Sequence, residues 1–352
     1  MPRPDARPGR DELLQAPKIL LHDHLDGGLR PSTIVDLAVR DGYRDLPSMD
    51  PGELGRWFGR ARESSSLPVY LSGFHHAYGV LQTREALVRA ARENVEDLAA
   101  DGVVYAETRF APELHLRHGL TGAQVLDAVL AGTREGLEQA AGRIDVRVIV
   151  CAMRDRGYVR QAAELVQAAT STRVVAFDLG GPEAGHSARH YQDIFLRLRD
   201  QGIHVTIHAG EGDGLASIQA ALDCGAERLG HGVRIVEDLD SATARRVRDE
   251  RIILETAPSS NVHTGATESF RLHPALRLSR AGFAVTINTD NRLMSQTTLT
   301  QDFHELAQHQ DLRWSDVVHM TTVAARGAFL PPDERESLLA RVTGWYRERA
   351  LL

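Results

Sequence analysis

Lysine is almost absent from this 352-residue chain: Lys18 stands alone, and arginine supplies the rest of the 41 basic side chains. Chemistry built on a lysine Schiff base or a carboxylated lysine is thereby nearly excluded. Cysteine is equally scarce. Cys151 and Cys224 are too few for a disulfide framework and are not spaced as a metal pair, which is the usage of a reducing compartment, so a cytoplasmic location is expected. No apolar stretch approaches membrane-spanning length. The opening "MPRPDARPGRDELLQA" has no apolar signal core, so residues 1–16 are expected to be flexible and the chain unexported. Basic charge is not massed either: a net charge of -7 with mixed signs leaves no basic stripe, so neither nucleic acid nor an anionic membrane is an expected partner. What is there, 42% hydrophobic and 25% charged, is ordinary globular composition, and it specifies no oligomeric state.

Short apolar or β-branched runs recur along the chain, each followed by a stretch of helical periodicity, the alternation that builds a parallel sheet from βα units. Eight such runs are present: KILLHDH from Lys18, GVVYAETRF from Gly102, VRVIVCA from Val146, VVAFDLGG from Val174, HVTIHAGE from His204, RLGHG from Arg228, IILETAPSS from Ile252 and AVTINTDN from Ala284. Helices are expected between them, among them one opened by a Thr121 cap and one opened by Ser187 at "SARHYQDIFLRLRD". Eight units predict an α/β protein with a closed (β/α)8 barrel, ahead of an open doubly wound sheet, as a single domain over residues 1–352. The segment 41–84 between the first two units is too long for a crossover and carries Trp57, Phe58, Leu67, Tyr70, Leu71 and Phe74. Leaving strand one at its C-terminal end, it is expected to cover the barrel mouth as an apolar lid; the competing reading is a helical packing insert.

The strands end in polar residues. In "HDHLDGG" the alternation of a strand puts His22 and His24 on the same inward face, and "IHAGE", "LGHG" and "NTDN" bring His208 and Glu211, His231, and Asp290 to the same mouth. A lone His-x-His pair is more often core than ligand. Convergence from several strands is different, because neutral imidazoles and a carboxylate are the nitrogen and oxygen donors that zinc takes. His22, His24, His208 and Asp290 are the expected ligands. His204, lower on its strand, reads as a buried hydrogen-bonded histidine, and His75, His76, His115, His118, His186, His190 and His263 as surface or lid residues. A second metal needs a bridging ligand such as a carboxylated lysine near strand four, where "VVAFDLGG" has none, so one zinc per chain is expected.

The ordered series "PKILLHDHLDGGLRP", "DLGGPE", "HAGE", "LGHG", "SSNVHTGA" and "NTDN" resembles the motifs of the adenosine deaminase family, especially its actinobacterial-type members, across nearly the whole chain. The resemblance implies the (β/α)8 barrel, zinc on His22, His24, His208 and Asp290, Glu211 as proton donor to purine N1, and His231 orienting the attacking water. It also implies a backbone contact from Gly181 to the base and a hydrogen bond from Asp26 to the ribose 5′-hydroxyl of a purine nucleoside. The chemistry is coherent without the family. Displacing an aromatic amine with water needs a hydroxide-strength nucleophile and a proton for N1. The competing readings are a helix-start carboxylate for Glu211 and a turn or capping role for Asp26.

Two departures from the family pattern stand out. Thr256 and Ala257 in "ETAPSS" differ from its usual residues, and Asn291 follows Asp290 where the family has a second aspartate. Since N7 is only an acceptor, an amide NH2 serves it at any pH, and Asn291 is expected to keep the base contact rather than merely cap the following loop. Rival functions are deamination of another adenine nucleoside, such as 6-aminodeoxyfutalosine, and a non-catalytic zinc-stabilised barrel that senses nucleosides. Glu211 argues against the second, since a binding site needs no proton donor.

Overall fold

The computed structural model of the protein describes residues 3–63 and 66–352. Eight parallel strands pair in sequence order: β1 (Lys18–His24), β2 (Val103–Phe110), β3 (Asp145–Met153), β4 (Val174–Gly180), β5 (His204–Ala209), β6 (Arg228–His231), β7 (Ile253–Thr256) and β8 (Val285–Ile287). All eight expected runs are strands, and they are buried almost throughout because helices cover the outer face of a barrel. The ring closes between β8 and β1 through a parallel bridge of Asp23 with Asp290. Beside it the Asn288 carboxamide oxygen accepts from the backbone N–H groups of Leu21 (3.0 Å) and His22 (3.1 Å), a side chain standing in for a ladder carbonyl. The result is the expected (β/α)8 barrel.

The outer helices follow from local chemistry. Thr121 caps the helix Gly122–Ala140 by accepting from Gln124 N–H (3.3 Å), with Gln124 reaching back to Thr121 N–H. That helix packs on Arg84–Ala100 through Gly132, where a Cβ would sit 2.1 Å from the Val88 carbonyl oxygen. Ser187 caps differently from expectation: it accepts from Arg189 N–H and opens a 3-10 turn, Ala188–Tyr191, and the helix proper begins at Gln192.

Three other expectations change. Residues 3–16, expected to be flexible, are docked on the barrel. Arg10–Gln15 is a helix with Leu13 fully buried, and the Ala6 and Pro4 carbonyls accept from Trp314 and Ser315 N–H. Met1 and Pro2 lie outside the described residues. His115 is buried, placing Nδ1 3.0 Å from the Leu81 carbonyl, whereas His76 lies within segment 41–84 as expected and packs under Trp57. His204 is hydrogen-bonded to Glu227 (3.0 Å) and stacked on Phe329, but its side chain is 40% exposed because it lies at the N-terminal rim of the barrel.

Segment 41–84 folds as helices Pro51–Gly59, Leu67–Ser72 and Phe74–Gly79 with a 3-10 turn at Arg60–Glu63; Ser64 and Ser65 fall outside the described residues. Among the described residues no helix is long and apolar enough to cross a membrane.

Candidate active site

The C-terminal ends of the strands carry the polar cluster. His22 Nε2 and His24 Nε2 lie 3.4 and 3.3 Å from Asp290 Oδ1, and His24 Nε2 lies 3.2 Å from His208 Nε2. Bonds of ~2.0–2.1 Å to a tetrahedral zinc place neighbouring donors about 3.3–3.4 Å apart, so these separations fit that ion. His22 Nε2 is buried with no hydrogen-bond partner, an orphan that a cation would satisfy. His231 joins the same cluster: among the described residues, donor atoms of His22, His208, His231 and Asp290 all lie within 4.8 Å of one another. Five donors therefore converge where four were expected.

Their outward hydrogen bonds separate them. His22 Nδ1 faces Glu255 Oε2 (3.0 Å) and His208 Nδ1 faces Asp178 Oδ2 (3.1 Å). A carboxylate only accepts, so each Nδ1 carries the proton and each Nε2 turns a lone pair inward. His231 is the reverse. Asn261 Oδ1 accepts from Ala257 N–H (3.1 Å), which turns the Asn261 NH2 toward His231 Nδ1 at 3.0 Å. That nitrogen accepts, and the proton of the neutral ring sits on Nε2, facing Glu211 Oε2 at 3.5 Å. Burial, then the nearby His22, hold the His231 pKa well below the ordinary range, keeping the ring neutral. His231 and Asp290 both have left-handed backbone, φ 66° and 57°, the strain expected where side chains are aimed by a site.

Glu211 follows β5 on a loop that precedes the helix Leu215–Asp223, whose N-cap is Gly214, so it is not a helix-start acid. Burial, reinforced by the carboxylates of Asp290 and Glu183, pushes its carboxyl well above the ordinary range. Its Oε1 is buried without a partner. A carboxyl whose protonated form burial favours thus faces the donor cluster beside a neutral N–H donor.

A cavity of about 380 Å³ opens from this cluster. His24, Asp26, Gly181, His208, Glu211, His231, Asp290 and Asn291 all line it, so the expected site residues meet in one place apart from His22, which sits fully buried behind them. Leu67, Tyr70, Leu71 and Phe74 of segment 41–84 form its apolar wall; Phe58 and Trp57 pack behind. Asp26 is not the cap of the next helix, a place taken by Arg30. Burial raises Asp26 to about 6, against the pull of its own and the Gly27 backbone N–H. Gly181 sits at φ 89° against Met153, leaving its backbone open to the cavity. Asn291 occupies the N-cap position of Arg292–Ser295 yet makes no capping bond, and its Oδ1 has no partner.

A buried network that strand reading missed stands behind the cluster. Arg109 donates to Asp178 (2.9 Å), Glu255 (2.9 Å) and the Leu21 carbonyl (2.6 Å), and Arg228 pairs with Glu255 (2.6 Å) and Glu107. Ser260 donates to Asp290 Oδ2 at 2.5 Å. The signal was available: Arg109, Asp178 and Glu255 are charges inside otherwise apolar strands.

The family model described as adenosine deaminase matches residues 17–345. A protein of Mycobacteroides abscessus named adenosine deaminase is 51% identical over 340 residues, covering 93% of this chain and 94% of its own length. Adenosine deaminase 1 of Streptomyces coelicolor is 48% identical, covering 94% of this chain and 87% of its own. Among solved structures, an adenine deaminase from Arthrobacter aurescens superposes with a TM-score of 0.86 at 26% identity, covering 94% of this chain and 99% of that one. A match of this breadth, on a parallel barrel whose strand ends converge on one donor cluster, means that the chain belongs to the adenosine deaminase family of hydrolases.

Proposed function

We propose that the protein is a hydrolytic deaminase holding one zinc ion, which converts adenosine and 2′-deoxyadenosine with water to inosine or 2′-deoxyinosine and ammonia. The observation that carries this reading is Glu211, a buried carboxyl set beside the convergent donors at the base of a nucleoside-sized cavity, where burial favours its protonated form. His22, His24, His208 and Asp290 would hold the metal; the tautomer that Asn261 imposes leaves His231 as a donor rather than a ligand. When bound, zinc lowers the pKa of a coordinated water toward ~7 and so supplies the nucleophile at neutral pH.

The chain's own residues do the rest. Glu211 gives its proton to N1 as water adds to C6, takes up the proton that the added water loses, and passes that proton to the departing amine. His231 Nε2–H points at the developing oxyanion. The Gly181 backbone and the Asn291 amide contact the base, Asp26 accepts from the 5′-hydroxyl, and the wall of Leu67, Tyr70, Leu71 and Phe74 excludes bulk water. A tight contact between the 5′-hydroxyl and buried Asp26 cannot coexist with a bulky 5′ substituent, so this role for Asp26 favours plain nucleosides over 6-aminodeoxyfutalosine.

The test is Glu211→Gln. Elemental analysis is expected to find about one zinc per chain in both proteins, while kcat falls by several orders of magnitude because an amide cannot protonate N1. Near-normal turnover, or two equivalents of zinc, would contradict the reading.

A further inference from the structure

The motif "DLGGPE" ends in a residue that the reaction leaves unassigned. Glu183 is buried, 3% exposed, on the loop after β4, and it touches neither the donor cluster nor the cavity. Its carboxylate accepts four backbone N–H groups in succession: Gly210 (2.6 Å), Glu211 (3.0 Å), Gly212 (2.7 Å) and Asp213 (3.1 Å). Four consecutive amides turned to one point form an anion-binding nest, and here the anion is a side chain of the same protein. The chain can wrap this way because Gly210 takes φ 75° and Gly212 packs so closely against Leu67 that a Cβ would lie 2.9 Å from it.

The opposite polarity of the same crossing is handled by Arg154. It donates to the Gly180, Leu179 and His208 carbonyls, the last at 2.6 Å. Carbonyls at the ends of β4 and β5 are thus tied by a cation and the amides just beyond β5 by an anion.

We propose that Glu183 is a positioning residue for the proton donor: the backbone of residues 210–213 folds around its carboxylate, and this fixes where the Glu211 carboxyl points. This rests on the reading of Glu211 as the acid. The nest and the acid share a residue, since Glu211 gives its backbone to Glu183 and its side chain to the site. Electrostatics works in the same direction, because the nearby Glu183 carboxylate adds to burial and Asp290 in pushing the Glu211 carboxyl upward.

Glu183→Gln keeps size and shape but points an NH2 at amides that need an acceptor, releasing part of the nest. A misplaced acid costs catalysis rather than binding. We expect kcat to fall by about 10- to 100-fold with KM changed by less than about threefold and zinc content unchanged. A merely structural role would lower activity by the same factor whatever residue stands at 211. If instead Glu183 acts through the acid, adding Glu183→Gln to Glu211→Gln changes kcat by less than about twofold. Equal losses in the two backgrounds, or a Glu183→Gln protein as fast as wild type, would overturn the inference while leaving Glu211 as the acid. Near-normal turnover by Glu211→Gln alone would overturn that reading and the inference with it. Hydrogen exchange on the unmodified protein gives a check independent of any variant. The amides of 210–213 lie beyond the strand, yet they should be protected like strand amides; exchange at exposed-loop rates would contradict the nest.

Discussion

Arg109→Met removes the charge on which the buried network turns. The guanidinium is fully buried and makes three charged or backbone contacts, to Asp178, Glu255 and the Leu21 carbonyl. Methionine fills similar volume but leaves the two carboxylates behind. Glu255 keeps Arg228, whereas Asp178 is left with His208, the Leu179 N–H and the Cys151 thiol. Breaking a buried pair from one side costs about 3–5 kcal/mol because the remaining charge is uncompensated. At ~2–4 °C per kcal/mol the melting temperature should fall by roughly 6–20 °C. The two carboxylates also orient His22 and His208, and losing such support typically weakens metal affinity by ~10- to 100-fold. Calorimetry and competition with a zinc chelator measure both quantities. Arg197→Met is the control: its pair with Asp193 is more than half exposed and is worth under about 1 kcal/mol. If Arg109→Met melts within about 2 °C of the parent and binds zinc equally well, the network does not support the site and the reasoning fails.

Three further outcomes are expected. Wild type should disfavour 7-deazaadenosine against adenosine by ~1–3 kcal/mol in kcat/KM, and Asn291→Ala should erase most of that gap; equal discrimination in both would show that N7 is read elsewhere. AMP should be a far poorer substrate than adenosine because the Asp26 carboxylate repels a 5′-phosphate, and Asp26→Asn should narrow the difference; a wild-type preference for AMP would refute the Asp26 contact. Asp302 is buried with its pKa raised to about 7, so the stability from its proton is complete below its unfolded value and lost as pH rises through 7. Asp302→Asn should therefore gain on wild type between pH 4 and 8, by at most about 4 kcal/mol, and urea melts showing a pH-independent difference would contradict this.

The barrel was legible because each strand is a local apolar run, and the site because strand parity sends His22 and His24, His208, His231 and Asp290 to one rim. What escaped the sequence depends on partners far apart in the chain. Asp178, Glu255 and Arg109 look like isolated polar interruptions until the barrel closes and puts them in contact across 69 and 146 positions. The tautomer of His231 is set by Asn261, thirty residues later, and by the Ala257 amide. Glu183 lay in a quoted motif, but a nest of backbone amides has no side-chain pattern to announce it. The docked N-terminal segment misled because charged flanks hide one well-placed apolar residue, Leu13.

The most direct measurement is the ultraviolet absorbance change when the purified, zinc-loaded protein meets adenosine, 2′-deoxyadenosine, adenine, AMP and 6-aminodeoxyfutalosine in parallel. The proposed function predicts rapid conversion of the first two with release of one ammonia each, and slow or no reaction of the others. No conversion of adenosine, or a clear preference for adenine, AMP or 6-aminodeoxyfutalosine, would contradict it.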